Sequence, residues 1–359
     1  MPPALTVLTA DYCQRQCWSG IGVAAAVQAN ALARQGCPVD VLSPAIEAGV
    51  SIAANPRLHA LSRERFPCAP PPGTLLHLHS LGLAELALEL VRRFRLRLVY
   101  TVHALPHREL SDSLHTHSWA HSWARSWTAV QERLFSAAAC VIFLNHADQD
   151  EAVRRNAGLR ARSHVLPNPI PRTEPPADDQ REHLALFAGR FAASKGIALL
   201  AATIAGLLDR GCSWSFAIAG GHGDAAGHEI VARLAARYPE RCRMPGWLDR
   251  PAINALYARA SLVLIPSLYE PCGMVALEAM RMGAPVLASN ADGLARLGHP
   301  ESGAVLVEDR SPQSWIATSE RLMADHELRH TLSRRGPAYV AAHCDPQRWA
   351  GQFLAATEG

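Results

Sequence analysis

Short apolar stretches alternate with longer helical ones along nearly the whole chain, and this limits the fold more than any other feature. In the first half ALTVL (4–8), PVDVL (38–42), TLLHLH (74–79), LRLVYTV (96–102), CVIFL (140–144) and residues 163–167 have the length and apolar density of strands. Helical patterns fill the gaps at 22–35, 82–94, about 118–138 and about 146–157. Strand–helix alternation predicts an α/β fold, with parallel sheets covered by helices on both faces. The segment NPIPRTEPPADDQREH (168–183) is too rich in proline and charge for either element and reads as a linker. Alternation then resumes with LALFA (184–188), 214–219, 242–244, SLVLI (261–265), PVLA (285–288) and AVLV (304–307). The last fifty residues look helical, with breaks at Pro337 and Pro346. A chain of 359 residues exceeds one ordinary core. The expectation is two parallel-sheet domains in tandem, 1–168 and 184–344. Ligands of open parallel sheets bind at strand carboxyl ends, so two such sheets facing across a cleft would share one ligand.

Composition narrows the partners. A net charge of +3 is too small to imply nucleic acid. No apolar run approaches a membrane span. The N-terminus MPPALTVLTADYC has no basic leader and reads as a first strand, which predicts a cytoplasmic protein. Nine cysteines without a CxxC suggest neither a disulfide framework nor a zinc ribbon, and buried thiols are expected. Of 35 basic residues 34 are arginine, and the single lysine is Lys195. A lone ammonium in an arginine-rich chain suggests a point contact to phosphate, against the plainer reading of compositional drift.

EPCGMVALE (270–278) places two carboxylates, Glu270 and Glu278, around a helix start. The strand SLVLI ends before Glu270, Pro271 and Gly273 suit a turn, and the helix should run from about Met274 to Met282. The backbone N–H groups of Gly273 and Met274 are then expected to be unpaired, a natural anion site. Two carboxylates about 5–9.5 Å apart also serve glycoside hydrolysis, and the spacing leaves that open. A helix N-terminus between them suits an elongated anion with hydroxyls at both ends, such as a nucleotide sugar. In isolation the pattern would be an ordinary loop acid and surface glutamate. Here GRFAASKG (189–196) follows a strand and sends Arg190 and Lys195 to a second helix start, where they could neutralise a pyrophosphate. In CWSGIG (17–22), Gly20 and Gly22 allow close backbone approach at a third.

Taken together, EPCGMVALE, the GR…KG loop and SGIG resemble the retaining glycosyltransferases of family 4. The resemblance implies the GT-B architecture, two Rossmann-like domains facing across a cleft, with a C-terminal helix (345–359) returning to the first domain. It implies that Glu270 contacts the donor sugar, and that Cys272, Gly273 and Met274 hold sugar hydroxyls and phosphate through their backbone. Glu278 would bind ribose hydroxyls, Arg190 and Lys195 would grip the diphosphate, and Gly20 and Gly22 would lie against it. His103 in YTVHAL would sit beside the sugar, and Leu248 in GWL (246–248) would read the base. Three positions depart from the pattern: PNPIP (167–171) after the last strand of the first domain, Arg296 in DGLAR where a glutamate is common, and Cys272 where an aromatic is common. No metal or other cofactor is expected, because Arg190, Lys195 and the helix starts would take the metal's place. A UDP-sugar is the expected donor, a GDP-sugar the second choice. The acceptor is a hydroxyl on a small molecule, glycan or glycolipid. A nucleotide-sugar epimerase and a non-catalytic nucleotide-sugar-binding protein are the alternatives.

Other signals read more plainly. His77 and His79 in LHLHS share one strand face, expected to be core. Trp119, Trp123 and Trp127 form one helical stripe, expected to pack on the core, with an acceptor platform as the functional alternative. His115, His117 and His121 lack an acidic or cysteine partner for a metal. RRFRLR (92–97) reads as a solvated helix end, weak peripheral membrane contact being the alternative.

Overall fold

The computed structural model describes residues 2–12, 19–46, 56–60, 70–71, 73–109, 118–171 and 181–358. The chain divides into two compact units, residues 1–171 with 344–359, and residues 172–343.

The first unit runs β1 (Leu5–Leu8), β2 (Asp11–Tyr12), α1 (Gly20–Arg34), β3 (Val39–Ser43), β4 (Ala45–Ile46), β5 (Arg57–Ala60), β6 (Leu75–Leu78), α2 (Ala84–Phe94), β7 (Arg97–Val102), α3 (Pro106–Glu109), α4 (Ser118–Ala137), β8 (Cys140–Phe143), α5 (His146–Arg155) and β9 (Ser163–Val165). Its main sheet has the order β5-β3-β1-β6-β7-β8-β9, and every pair is parallel. β1 and β6 are buried at every position, as strands covered on both faces must be. β5 escapes an apolar-run reading because RLHA is polar. It is an edge strand, held to β3 by Arg57 and His59, which both reach Asp40 at 2.7–2.8 Å.

The second unit runs β10 (Glu182–Arg190), α6 (Ile197–Asp209), β11 (Ser215–Gly221), α7 (Ala225–Arg237), β12 (Cys242–Gly246), α8 (Arg250–Arg259), β13 (Ala260–Ile265), α9 (Met274–Arg281), β14 (Val286–Ser289), β15 (Ala304–Val307), α10 (Pro312–Ala324) and α11 (His326–His343). Its sheet, β12-β11-β10-β13-β14-β15, is again all parallel. Trp315, Phe216 and Leu262 anchor its core.

Two expectations need correction. The proline and charge pattern extends the linker to residue 183, yet Glu182 and His183 already belong to β10. Arg259, the last residue of α8, pairs with Glu182 at 2.7 Å, and His183 stacks on Trp214 just ahead of β11, so these polar residues have side-chain partners. Residues 172–180 of that segment lie outside the described residues. Pro337 does not break the C-terminal helices but sits inside α11. Tertiary packing outweighs the lost hydrogen bond: α11 lies so close to α9 that a Cβ on Gly336 would come within 2.8 Å of the Met280 carbonyl. Pro346 opens α12 (Pro346–Thr357), where the missing N–H costs nothing. Trp349 and Phe353 of α12 are buried in the first unit's core with Ala25, Ala29 and Leu32 of α1.

Candidate functional site

In a doubly wound sheet the loops diverge where strand order reverses, leaving a crevice at the strand carboxyl ends. In the second unit that point lies between β10 and β13. The loop after β10 is pressed onto the end of β13. Gly196 has φ +68°, and a Cβ there would sit 1.8 Å from the Pro266 carbonyl, so only glycine fits. Leu268 N donates to Ser194 O at 2.9 Å and locks the two loops together. This delivers Lys195 to Glu270, with Nζ 2.8 Å from Oε2. Their side chains are 19% and 13% exposed.

Glu270 also accepts from Ser267 Oγ and, through Oε1, from Gly273 N, each at 3.3 Å. The expectation of an unpaired Gly273 N–H is therefore wrong. Gly273 is the N-cap of α9 in the left-handed conformation (φ +76°), with no side chain to cap the helix, and the turn folds the Glu270 carboxylate over that end. Cys272 is buried, and Met274, the first residue of α9, is half-buried. Arg296, the departure from the family glutamate, donates to the Cys272 carbonyl at 2.8 Å and so braces the same turn. Gly293 lets that brace approach, since its Cβ would lie 2.2 Å from the Pro271 carbonyl.

Glu278 faces α8 instead. Arg250 Nη1 donates to its Oε1 at 2.5 Å. Leu248, half-buried, and Asp249 precede α8, and Asp249 caps it by accepting from Ala252 N at 2.9 Å. Arg250 was missed from sequence; the signal was Leu248-Asp249-Arg250-Pro251, an N-cap aspartate followed by an early proline. Arg281, one turn after Glu278, is buried; desolvation lowers its pKa and the Glu278 charge opposes that fall. Arg190 is exposed at the carboxyl end of β10. The structure thus gathers Lys195, Glu270, Cys272, Gly273 and Met274 around one turn, and sets Glu278 against Arg250.

The remaining expected site residues lie in the first unit. Gly20 and Gly22 fall inside the first turn of α1, not ahead of it. Ser19 caps the helix, accepting from Gly22 N at 3.0 Å and donating to the Asp11 carboxylate at 2.7 Å. A Cβ on Gly22 would lie 2.5 Å from Asp11 Oδ2, so that glycine makes room for Asp11, whereas the Cβ direction of Gly20 is open. His103 follows β7 and is half-buried. Its Nε2 is 3.0 Å from His79 Nδ1. His77 and His79 are fully buried, and His77 Nε2 is 2.7 Å from Thr101 Oγ1. Burial pushes His77 down to about 3 and His103 to about 4, and His79 well below the usual histidine range. All three rings are neutral at pH 7.

Trp123 and Trp127 of the tryptophan stripe are not core. Trp123 is 45% exposed and lies against Trp127 with centroids 5.6 Å apart; the side chain of Trp119, like His115 and His117, falls outside the description. Its polar neighbours explain this, since α4 has serine, arginine and histidine around the indoles. An Asp-x-Asp string occurs at Asp148–Asp150, but inside α5, where Asp148 is buried and bound by Arg108 at 2.7 Å. Among the described residues no cluster of three acidic, histidine or cysteine side chains could hold a metal ion. Cys37, Cys140, Cys242, Cys272 and Cys344 are buried, as expected; Cys13, Cys17 and Cys68 lie outside the described residues. Among the described residues no helix is long and apolar enough to cross a membrane.

Residues 173–339 match the family described as Glycosyl transferases group 1. An uncharacterised glycosyltransferase of Methanocaldococcus jannaschii is 33% identical over 153 residues, 42% of this chain and 38% of that protein. The chain spans 38% to 41% of the length of the first curated relatives it matches. A sucrose-phosphate synthase from Thermosynechococcus elongatus has TM-score 0.79 at 21% identity, over 98% of this chain and 97% of that one. Anabaena HepE in complex with UDP-glucose has TM-score 0.73 at 16% identity, over 98% and 99%. These likenesses show that the fold is GT-B.

Proposed function

Because its second unit belongs to the group 1 glycosyl transferases, we propose that this protein moves a sugar from a nucleoside diphosphate sugar to a hydroxyl acceptor. The reading is a UDP-linked donor, retention at the anomeric carbon and no metal. One observation carries it: the only lysine in the chain meets Glu270 over the start of α9, at the reversal point of the sheet. There an ammonium lies between the starts of α6 and α9, and on this reading Arg190, from the end of β10, joins it, a set that suits a diphosphate. The solved likeness holding UDP-glucose supports the choice of donor.

On this reading Lys195 and Arg190 take the charge that develops on the departing diphosphate. Lys195 exchanges part of its contact with Glu270 for phosphate, and Glu270 turns to the sugar. Backbone at Cys272, Gly273 and Met274 lies along sugar and phosphate. Glu278 offers the ribose the oxygen that Arg250 does not hold, and Leu248 lies by the base. By the family resemblance alone, His103 serves the sugar, and Gly20 and Gly22 the diphosphate. The bond from anomeric carbon to phosphate oxygen breaks while the acceptor oxygen bonds to the same face. The acceptor proton passes to the departing phosphate.

A thermal-shift panel of UDP, GDP, ADP and their sugars tests this reading, since a ligand bound by the native state raises the midpoint. Expected is a shift with UDP and UDP-glucose, and slow release of UDP from the latter. A shift without UDP release supports binding alone. A new sugar isomer supports epimerisation, and no shift with any member sinks the reading.

A further inference from the structure

His79 takes no part in the reaction described above, yet it is buried and its ring lies directly behind His103. We propose that His79 is a positioning residue that donates its Nδ1–H to His103 Nε2 and thereby fixes His103 as an outward hydrogen-bond donor through Nδ1–H.

The two rings share one hydrogen bond of 3.0 Å, so one nitrogen donates and the other accepts. Each neutral ring has a single N–H. His79 Nε2 is buried and has no hydrogen-bond partner. If His103 Nε2–H were the donor, the proton of His79 would sit on that Nε2, a buried N–H with no acceptor. If His79 Nδ1–H is the donor, only a bare lone pair is left there. Orphaned buried N–H groups are rarer than unsatisfied acceptors, so the second arrangement wins. His103 then has no proton on Nε2 and must have one on Nδ1, the nitrogen turned away from His79. His77 holds the arrangement in place: its ring lies 4.2 Å from that of His79 and is itself tied to Thr101. A ring fixed in this way gives a hydrogen bond to a substrate oxygen and is not a base on its outer side. The consequence for turnover rests on the reading of His103 as a sugar-side residue, but the tautomer does not.

The test is a long-range proton–nitrogen correlation spectrum of the full-length 15N-labelled protein at pH 7, with His103 assigned by its loss in His103→Gln. Expected is His103 with its proton on Nδ1 and a bare Nε2. A proton on Nε2 overturns the proposal whatever the protein does with sugars. His79→Phe should abolish the single-tautomer pattern. His79→Asn, whose amide nitrogen stands near the Nδ1 position, should restore it; an unchanged His103 spectrum in His79→Phe also overturns it. With UDP-glucose as probe, His79→Phe should lower kcat about tenfold with little change in KM, and His79→Asn should recover most of it. If the unaltered protein releases no UDP, the functional reading fails while the spectrum still decides the tautomer.

Discussion

Arg250 donates to Glu278 across 2.5 Å, joining the start of α8 to the middle of α9, and the two side chains are only 11% and 10% exposed. A pair this enclosed is costly to break from one side, because the partner is left charged and poorly solvated. Arg250→Ala should therefore cost about 3 kcal/mol of stability. It should also diminish the midpoint shift given by UDP, since Glu278 loses the partner that aims it. Urea unfolding with and without UDP measures both. An undiminished UDP shift would remove Glu278 from the ligand's surroundings.

Lys195 can be removed more gently. Glu270 keeps Ser267 Oγ and Gly273 N as donors, so its carboxylate is not abandoned in Lys195→Ala. The fold should survive with a small change in midpoint. A charge-assisted contact to phosphate is worth roughly 1.5–3 kcal/mol, so the Kd for UDP should rise by about 10- to 150-fold. Lys195→Arg should recover only part of this, because the planar fork cannot occupy the place of a compact ammonium. Titration calorimetry separates the three proteins. Equal Kd values in all three would show that the ammonium does not touch the diphosphate.

The sequence made the alternation of β1 through β15 readable wherever strands were apolar, because doubly covered parallel strands carry continuous hydrophobic runs. It failed at β5, whose RLHA is held by charges on Asp40, and at Pro337, whose helix is kept by packing of Gly336 on Met280. In the site, Glu270 and Lys195 were readable as residues but not as partners. Their loops meet only because Gly196 and Pro266 touch, a contact between positions 70 residues apart in the chain. Arg250 and His79 were likewise not readable as the partners of Glu278 and His103. Each acts through a neighbour on another element, and no local spacing records that.

Gly196 should be intolerant of any side chain. A Cβ there would overlap the Pro266 carbonyl, which is backbone and cannot swing away, and the φ of +68° adds strain of about 1 kcal/mol. Gly196→Ala should therefore separate the loop after β10 from the end of β13 and break the Leu268–Ser194 hydrogen bond. Expected is a destabilisation of about 2–4 kcal/mol together with loss of UDP binding. Gly211→Ala, also at positive φ (+85°) but with open space around its Cβ, is the control and should cost about 1 kcal/mol without affecting UDP. Similar losses of UDP binding in both variants would mean that the junction with Pro266 does not position Lys195.

His77 supplies a prediction about acid. Burial holds its folded pKa at about 3, and in the unfolded chain an exposed histidine titrates near ~6.5. Between these values the unfolded state takes up a proton that the folded state refuses. The unfolded state thus binds more protons, and stability rises with pH across this window. The contribution is fully present above pH ~6.5 and is lost as pH falls, at up to about 1.4 kcal/mol per pH unit. From pH 7 to 5, His77 alone should remove about 2 kcal/mol. His77→Gln keeps a polar atom near the Thr101 hydroxyl but cannot titrate. Its unfolding free energy should start lower at pH 7 and decline less between pH 7 and 5, by about 2 kcal/mol. Urea unfolding at stepped pH gives both slopes. Parallel slopes in the two proteins would mean that His77 takes up its proton in the folded state near pH 6, which its sealed position beside His79 and Phe353 does not allow.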